Sequence, residues 1–320
     1  LGFTNIFTKK ISMSLVVVGT VAFDKISTPF GSSDRIVGGA ATYIGLSASQ
    51  FHKDIKLVSV IGDDFPTEFL DGMRKRNINL DGLQIKKGEK SFFWEGKYRY
   101  DMNSRDTVET QLNVLADFKP ELPESYKNTD FLMLGNLAPA VQLSVLAQLE
   151  NRPKLIVLDT MNFWMDIAMD ELREVIAKVD VITINDEEAR QLSGEYSLVK
   201  AARKILDMGP KAIVIKKGEN GALLINAEGM FYAPAMPLEE VMDPTGAGDT
   251  FAGGFMGYLA QSRDISFENM KRAVIVGSAM ASFSVEKFGT ERLLSISESE
   301  IDHRIQLFVD LVDFDILLVD

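Results

Sequence analysis

Asp243-Pro244-Thr245-Gly246-Ala247-Gly248-Asp249-Thr250-Phe251-Ala252-Gly253-Gly254-Phe255 decides how this chain is read. Pro244 discourages helix in the residue before it, and a helix rich in small and apolar residues is predicted from the glycines to about Ala260. Gly246, Ala247 and Gly248 leave the backbone N–H groups at its start bare. Uncapped N–H groups aligned with a helix dipole make an anion site. Asp249 falls in the first turn, beside the place where an anion would rest. A carboxylate there repels a phosphate unless it has a task, and orienting and deprotonating an attacking hydroxyl is such a task. A lone Gly-x-Gly followed by Asp would more simply be a tight turn whose carboxylate favours the dipole. The full thirteen-residue string is far more specific. It is neither a Walker loop, since no Gly-Lys-Ser/Thr follows, nor a dinucleotide fingerprint, since it comes late with the wrong glycine spacing.

Working outward, Leu15-Val16-Val17-Val18 before Gly19 reads as the first buried strand. Gly38-Gly39 opens a predicted helix over Ala40–Gln50, followed by a strand at Leu57–Ile61 and a helix from about Pro66 to Arg76. Later strands are predicted at 131–134, 155–158, 181–184, 212–216 and 223–225, with helical patterns between most of them. This alternation predicts an α/β fold with a mostly parallel sheet covered on both faces. Two segments break the rhythm. Thr20–Val37, with Pro29 and Gly31, reads as short strands outside the main sheet. Gly82–Asp101 reads as an aromatic-rich antiparallel hairpin, Leu83-Gln84-Ile85 pairing with Phe92–Tyr100 across Lys87-Gly88-Glu89-Lys90. The aromatics Phe92, Trp94, Tyr98 and Tyr100 are expected to face alternate sides, burying against their own strands or a second subunit, or covering a pocket. One domain over 13–320 is expected, with a small β lid from about 20–37 and 82–101. Leu1 to Ser12 is expected to be a non-native or disordered extension, with the native start at Met13. A helix is expected from near Ser297, and 308–320 mixes apolar and acidic residues without periodicity or an assignable function.

Composition narrows the chemistry. With 46% hydrophobic and 25% charged residues, the 320-residue chain is an ordinary globular protein. Its net charge of −12, without a basic tract, argues against nucleic acid or an anionic membrane as partner. Zero cysteines exclude disulfides, thiolate metal sites and cysteine nucleophiles, and fit a reducing cytoplasm. Two histidines, His52 and His303, make a histidine-built metal site or triad improbable. No apolar run approaches the length of a membrane span.

Asp243–Phe251 resembles the C-terminal signature of the ribokinase-like (PfkB) carbohydrate kinases, and the similarity extends from about Leu15 to Thr290. The resemblance implies a three-layer α/β/α core with a β lid, and an ATP-dependent transfer of phosphate onto an alcohol group of a small sugar-like substrate. It implies Asp249 as catalytic base, with Gly246, Ala247 and Gly248 as the anion hole and Thr245 at the nucleotide. Gly38-Gly39 matches the N-terminal signature, where two glycines admit the substrate to the backbone, although a tight turn into a helix explains the pair equally. Asp24 matches the Asp that grips substrate hydroxyls, against the plainer reading of a turn residue. Asn185 and Glu188 match an Asn-x-x-Glu motif that organises magnesium and phosphate through water; the same spacing is a helix capping box, and both roles can coexist. Lys217, Gly218 and Gly221 match a glycine loop beside the nucleotide, or a hairpin turn with Asn220-Gly221 at its tip. Asp159-Thr160-Met161-Asn162 loosely matches a polar strand end near the phosphates. Val274–Phe283 would wall the adenine, although Gly277, Ser278 and Ala279 equally suit helix packing. A monovalent cation near Asp243 and a homodimer through the lid strands are further implications.

Many sugar-kinase members carry Asn a few residues after the paired glycines, whereas this chain has Ala40-Ala41-Thr42-Tyr43, which puts Tyr43 near the substrate. That weakens ribose or fructose as acceptor and keeps an adenosine- or cytidine-like nucleoside as the alternative. An inactive nucleotide-binding regulator is a third reading, disfavoured by the intact Gly-Ala-Gly-Asp and Asn-x-x-Glu. A dinucleotide oxidoreductase would need a glycine fingerprint after the first strand, and Gly19-Thr20-Val21-Ala22-Phe23-Asp24 lacks one.

Overall fold

The computed structural model describes residues 13–313, so the expectations for 1–12 and for the end of the tail lie outside the described residues. Its strands, in chain order, are β1 (Leu15–Val18), β2 (Ala22–Thr28), β3 (Gly31–Ser32), β4 (Ile36–Gly38), β5 (Ile55–Gly62), β6 (Ile78–Lys86), β7 (Phe93–Tyr98), β8 (Arg105–Gln111), β9 (Phe131–Leu134), β10 (Leu155–Asp159), β11 (Val181–Asn185), β12 (Ala212–Lys216), β13 (Ala222–Asn226) and β14 (Met230–Ala233). Nine of them form one sheet in the order β14-β13-β12-β11-β10-β9-β1-β5-β6. All neighbours from β6 to β12 run parallel, and β13 and β14 are appended antiparallel. The continuous apolar runs are buried because helices cover both faces. Alternation sends Leu15 and Val17 into one core with Tyr43, Phe251 and Phe283, and Val16 and Val18 into another with Leu172, Ala201 and Ile205.

The second sheet holds five strands, with β2 between β3 and β7, β8 beyond β7, and β4 also pairing with β2. Thr20–Val37 thus supplies strands outside the main sheet, as expected. The expected hairpin is not formed. Leu83-Gln84-Ile85 lies within β6 and pairs in parallel with Ser59–Ile61 of β5. Extending the strand back to Ile78 buries Ile78 and Leu80 in the main core, a gain the hairpin would forfeit. The antiparallel partner of β7 is β8, whose sequence RDTVETQ is too polar and too exposed to register as a strand in a hydrophobic pattern. The turn between them is tied by Asp101, whose carboxylate accepts from the Asn103 and Ser104 N–H groups and the Ser104 hydroxyl.

The helix Ala247–Ser262 packs between the helices Ala40–Ala48 and Phe267–Ser284. Small residues permit the approach: a Cβ on Gly253 would lie 2.4 Å from the Ile44 carbonyl oxygen, and one on Gly257 would lie 2.8 Å from Ala48 Cα. Gly277 packs likewise against Phe251, which is the helix-packing reading of that segment. Gly253→Ala is therefore expected to destabilise the protein by roughly 1–3 kcal/mol in urea unfolding through overpacking, against alanine's advantage of about 1 kcal/mol as a helix former. Gly72→Ala, where nothing lies within 4 Å, should be neutral or stabilising; equal effects at both positions would refute the close-packing account.

Candidate active site

Strand ends gather the site. Gly19, Asp159, Asn185 and Lys216 all stand at the carboxyl ends of parallel strands, where open α/β sheets leave a crevice. The start of the helix Ala247–Ser262 points its amides there. Gly246 caps it with φ 74°, and a Cβ at that position would also lie 2.5 Å from the Tyr43 ring, so no other residue fits. The loop before it is held by Asp243, fully buried, which accepts from the Thr245 N–H at 2.8 Å and the Gly289 N–H at 2.9 Å. Ala247 N–H turns back to the Pro244 carbonyl at 3.2 Å. Among the described residues, the N–H groups of Gly246, Gly248 and Asp249 have no backbone acceptor. The open amides therefore include Asp249, which the sequence pattern did not single out for this, while that of Ala247 is engaged.

Burial pushes the Asp249 carboxyl up to about 7, and Asp159 adds to the rise while Lys216 and Arg105 oppose it. Lys216 donates to Asp159 at 2.9 Å. Burial works against its ammonium, yet Asp159, Glu188 and Asp249 together hold its pKa above the ordinary lysine value. Glu188, also raised to about 7 chiefly by burial, completes a reciprocal capping box: its N–H donates to Asn185 Oδ1, and its carboxylate accepts from the Asn185 N–H, each at 2.7 Å. Capping is thus realised, and the carboxylate still faces Lys216 and Asp159.

Asp24 lies within electrostatic reach of Asp249. Burial and then Asp243 raise its carboxyl to about 7, against the lowering effect of the Gly39 amide. A Cβ on Gly38 would collide with the Asp24 carboxylate at 1.8 Å, and Gly39 takes φ 93° as it enters the helix Ala40–Ala48. Tyr43, 1% exposed, has a hydroxyl without a partner among the described residues, surrounded by Asp24, Asp243 and Asp249. Burial pushes its pKa well up. Tyr98 of β7 reaches the Thr245 hydroxyl at 3.2 Å, linking the second sheet to the glycine loop.

The structure brings Asp24, Gly38, Tyr43, Thr245, Gly246, Gly248 and Asp249 into one cluster, with Asn185 and Glu188 adjoining it through Lys216. It does not bring Lys217, whose Nζ lies 5.4 Å over the Tyr232 ring. The ammonium beside the helix start belongs to Lys216, one residue earlier, because strand alternation sends neighbouring side chains to opposite faces. Gly218 and Gly221, with φ 54° and 79°, turn β12 back into β13, and Asn103 of the second sheet rests on Gly218. Nor do Trp94 and Tyr98 face alternate sides: Trp94 lies over Gly96 on the same face as Tyr98, level with Asp24 of β2, because their spacing is even, while Phe93 packs against the main core. Tyr100 is 82% exposed, paired with Phe30. Arg105, whose guanidinium lies 5.9 Å over the Trp94 ring and near Asp249 and Glu188, carried no signal in its polar stretch.

The family description "pfkB family carbohydrate kinase" matches residues 15–296. A cytidine kinase of Thermococcus kodakarensis is 31% identical over 258 residues, 79% of this chain and 91% of the relative. The fold is that of the Methanocaldococcus jannaschii nucleoside kinase, an archaeal member of the ribokinase family, with TM-score 0.74, 20% identity, and 92% and 99% of the two chains covered. It is equally similar to the Burkholderia thailandensis nucleoside kinase solved in complex with ADP-inosine, with TM-score 0.75, 18% identity, and 93% and 96% covered. The expected α/β fold with a second small sheet is therefore the observed one, and the chain belongs to the PfkB family of carbohydrate kinases, ATP-dependent kinases with an alcohol group as acceptor.

Proposed function

We propose that this protein transfers the γ-phosphate of ATP in line onto a hydroxyl of a small nucleoside, with Asp249 as the base. One observation carries the reading: a half-buried carboxyl stands in the first turn of a helix whose Gly246, Gly248 and Asp249 N–H groups are unpaired among the described residues. Asp249 orients the acceptor hydroxyl and takes its proton, while the amides stabilise charge developing on the transferred phosphoryl group. Asp24 and the Gly38–Gly39 backbone hold the acceptor's hydroxyls, Thr245 and the Gly218–Gly221 loop hold the nucleotide, and the second sheet acts as a lid that excludes water. A nucleoside is favoured over a free sugar by Trp94, whose ring shares the cleft face of β7 with Tyr98, and by the names of the relatives, a cytidine kinase and nucleoside kinases. A sugar acceptor is the second reading, kept because the site offers Asp24 and paired glycines to hydroxyls of either class.

Asn185 and Glu188 suit magnesium held through water: the carboxylate is a hard oxygen donor, and among the described residues no cluster of three or more acidic, His or Cys side chains could cage the ion alone. When bound with the nucleotide, the ion supplies neutralisation of phosphate charge. The monovalent cation expected beside Asp243 is compatible with the site, since each oxygen of that carboxylate accepts one N–H group and keeps a lone pair. A homodimer would use the outer face of the second sheet, where Lys25 pairs with Glu95. A cytoplasmic location suits an ATP-consuming enzyme, and among the described residues no helix is long and apolar enough to cross a membrane.

Asp249→Asn is expected to lower kcat by about 10²–10⁴-fold with nucleotide affinity nearly unchanged. Since the carboxyl must be ionised to act and titrates at about 7, wild-type kcat/KM should rise with pH up to about 7 and level off above it. The same shift makes a stability statement. The folded value lies above the ordinary 3.8, so its stabilising contribution is full below that pH and is lost as pH rises through about 7. Asp249→Asn should therefore be more stable than wild type at pH 8, on the order of 1–3 kcal/mol, and not at pH 4. Unchanged turnover would refute the base assignment. In an ADP-release panel, cytidine, adenosine and inosine should exceed ribose and fructose in kcat/KM. Trp94→Ala should raise the nucleoside KM about tenfold through lost stacking while leaving the ATP KM alone; a panel led by free sugars would restore the sugar reading.

A further inference from the structure

We infer that Lys216 is a catalytic residue that contacts the terminal phosphate of the nucleotide and so distinguishes a triphosphate from a diphosphate, and that Asp159 is the positioning residue that aims it. The inference rests on the phosphotransferase reading above and goes beyond it, because the resemblance implies a different lysine, Lys217, beside the nucleotide.

Three observations converge. First, Lys216 Nζ packs against the main chain of the active helix: a Cβ built on Gly248 would lie 3.0 Å from it. The ammonium thus stands beside the unpaired Gly248 amide and one residue from Asp249, where an anion held by those amides would touch it. Second, its hydrogen bonding is incomplete. An ammonium has three N–H donors, and among the described residues Asp159 is its one hydrogen-bond acceptor, with the two side chains only 16% and 8% exposed. Donors so enclosed call for a further acceptor. Third, strand pairing puts Lys216 of β12 opposite Asn185 of β11, so the ammonium bridges the Asn185–Glu188 pair and the Gly248–Asp249 turn.

Charge explains why a cation is needed here. Asp159, Glu188 and Asp249 all act on this one ammonium, and a phosphate brought among three carboxylates meets strong repulsion. A lysine anchored at 2.9 Å by Asp159 presents its remaining donors toward the helix start without searching rotamers. An ADP-length nucleotide, ending one phosphate short, would leave that contact unmade.

The test compares binding of ADP with that of the β,γ-imido analogue of ATP by calorimetry, so that it does not depend on turnover. Lys216→Met is expected to weaken the analogue at least about tenfold more than ADP and to lower kcat about 10²–10³-fold, the scale of losing one donor to transition-state charge, with the acceptor KM unchanged. Because Lys216→Met leaves Asp159 buried without its partner, the double variant Lys216→Met/Asp159→Asn is measured beside it and should show the same loss of discrimination in a fully folded protein. Asp159→Asn alone should keep part of the preference for the analogue, since the ammonium remains but is no longer aimed. Equal weakening of both nucleotides in the double variant, or of neither, would overturn the inference while leaving the kinase reading intact. A wild-type protein that binds neither nucleotide would overturn both.

Discussion

The hydrogen bonds to Asp243 hold the site open. Its two oxygens take the Thr245 and Gly289 amides, tying the loop before the helix Ala247–Ser262 to the turn after the helix Phe267–Ser284. With that loop fixed, Gly246 adopts its left-handed conformation against the Tyr43 ring, and the next turn begins with amides that no backbone group caps. A free helix start would ordinarily be capped by a side chain. Here no side chain caps it, and the helix dipole is left to act on a ligand. Close packing of Gly253 and Gly257 on the helix Ala40–Ala48 keeps this start in line with the Gly38–Gly39 turn.

Acid groups set the electrostatic character of the cleft. Asp24, Glu188 and Asp249 are each raised to about 7, largely because burial disfavours their charged forms. Such groups detract from stability at neutral pH. At Glu188 and Asp249, Lys216 from the main sheet and Arg105 from the second sheet oppose the rise. The second sheet therefore contributes charge, its Tyr98 touches Thr245, and Asn103 of the β7–β8 turn rests on Gly218.

Particular residues show why some of this was legible beforehand. Leu15–Val18 and the other apolar runs could hardly be anything but central strands, because only a sheet covered on both faces buries every side chain of such a run. Asp249 and its glycines stood out because the amide-rich turn and the carboxylate lie within a few consecutive residues. Asn185 and Glu188 did so because a three-residue spacing on a helix is itself a geometric statement. The pairing of β7 is not legible in the sequence because β8 is polar, and a strand exposed on the second sheet carries no apolar period to betray it.

Sequence alone, then, determined the parallel sheet, the glycine-rich helix start with its open amides and the carboxylate beside it, since each is encoded by neighbours along the chain and by local backbone preference. Tertiary structure decided that β7 pairs with β8, that Lys216 rather than Lys217 stands beside the helix start, and that Asp24, Asp159 and Arg105 share one field with Asp249. Those relations join residues from 24 to 249, and only the packing of the sheet and its helices brings charges so far apart in sequence within reach of one another.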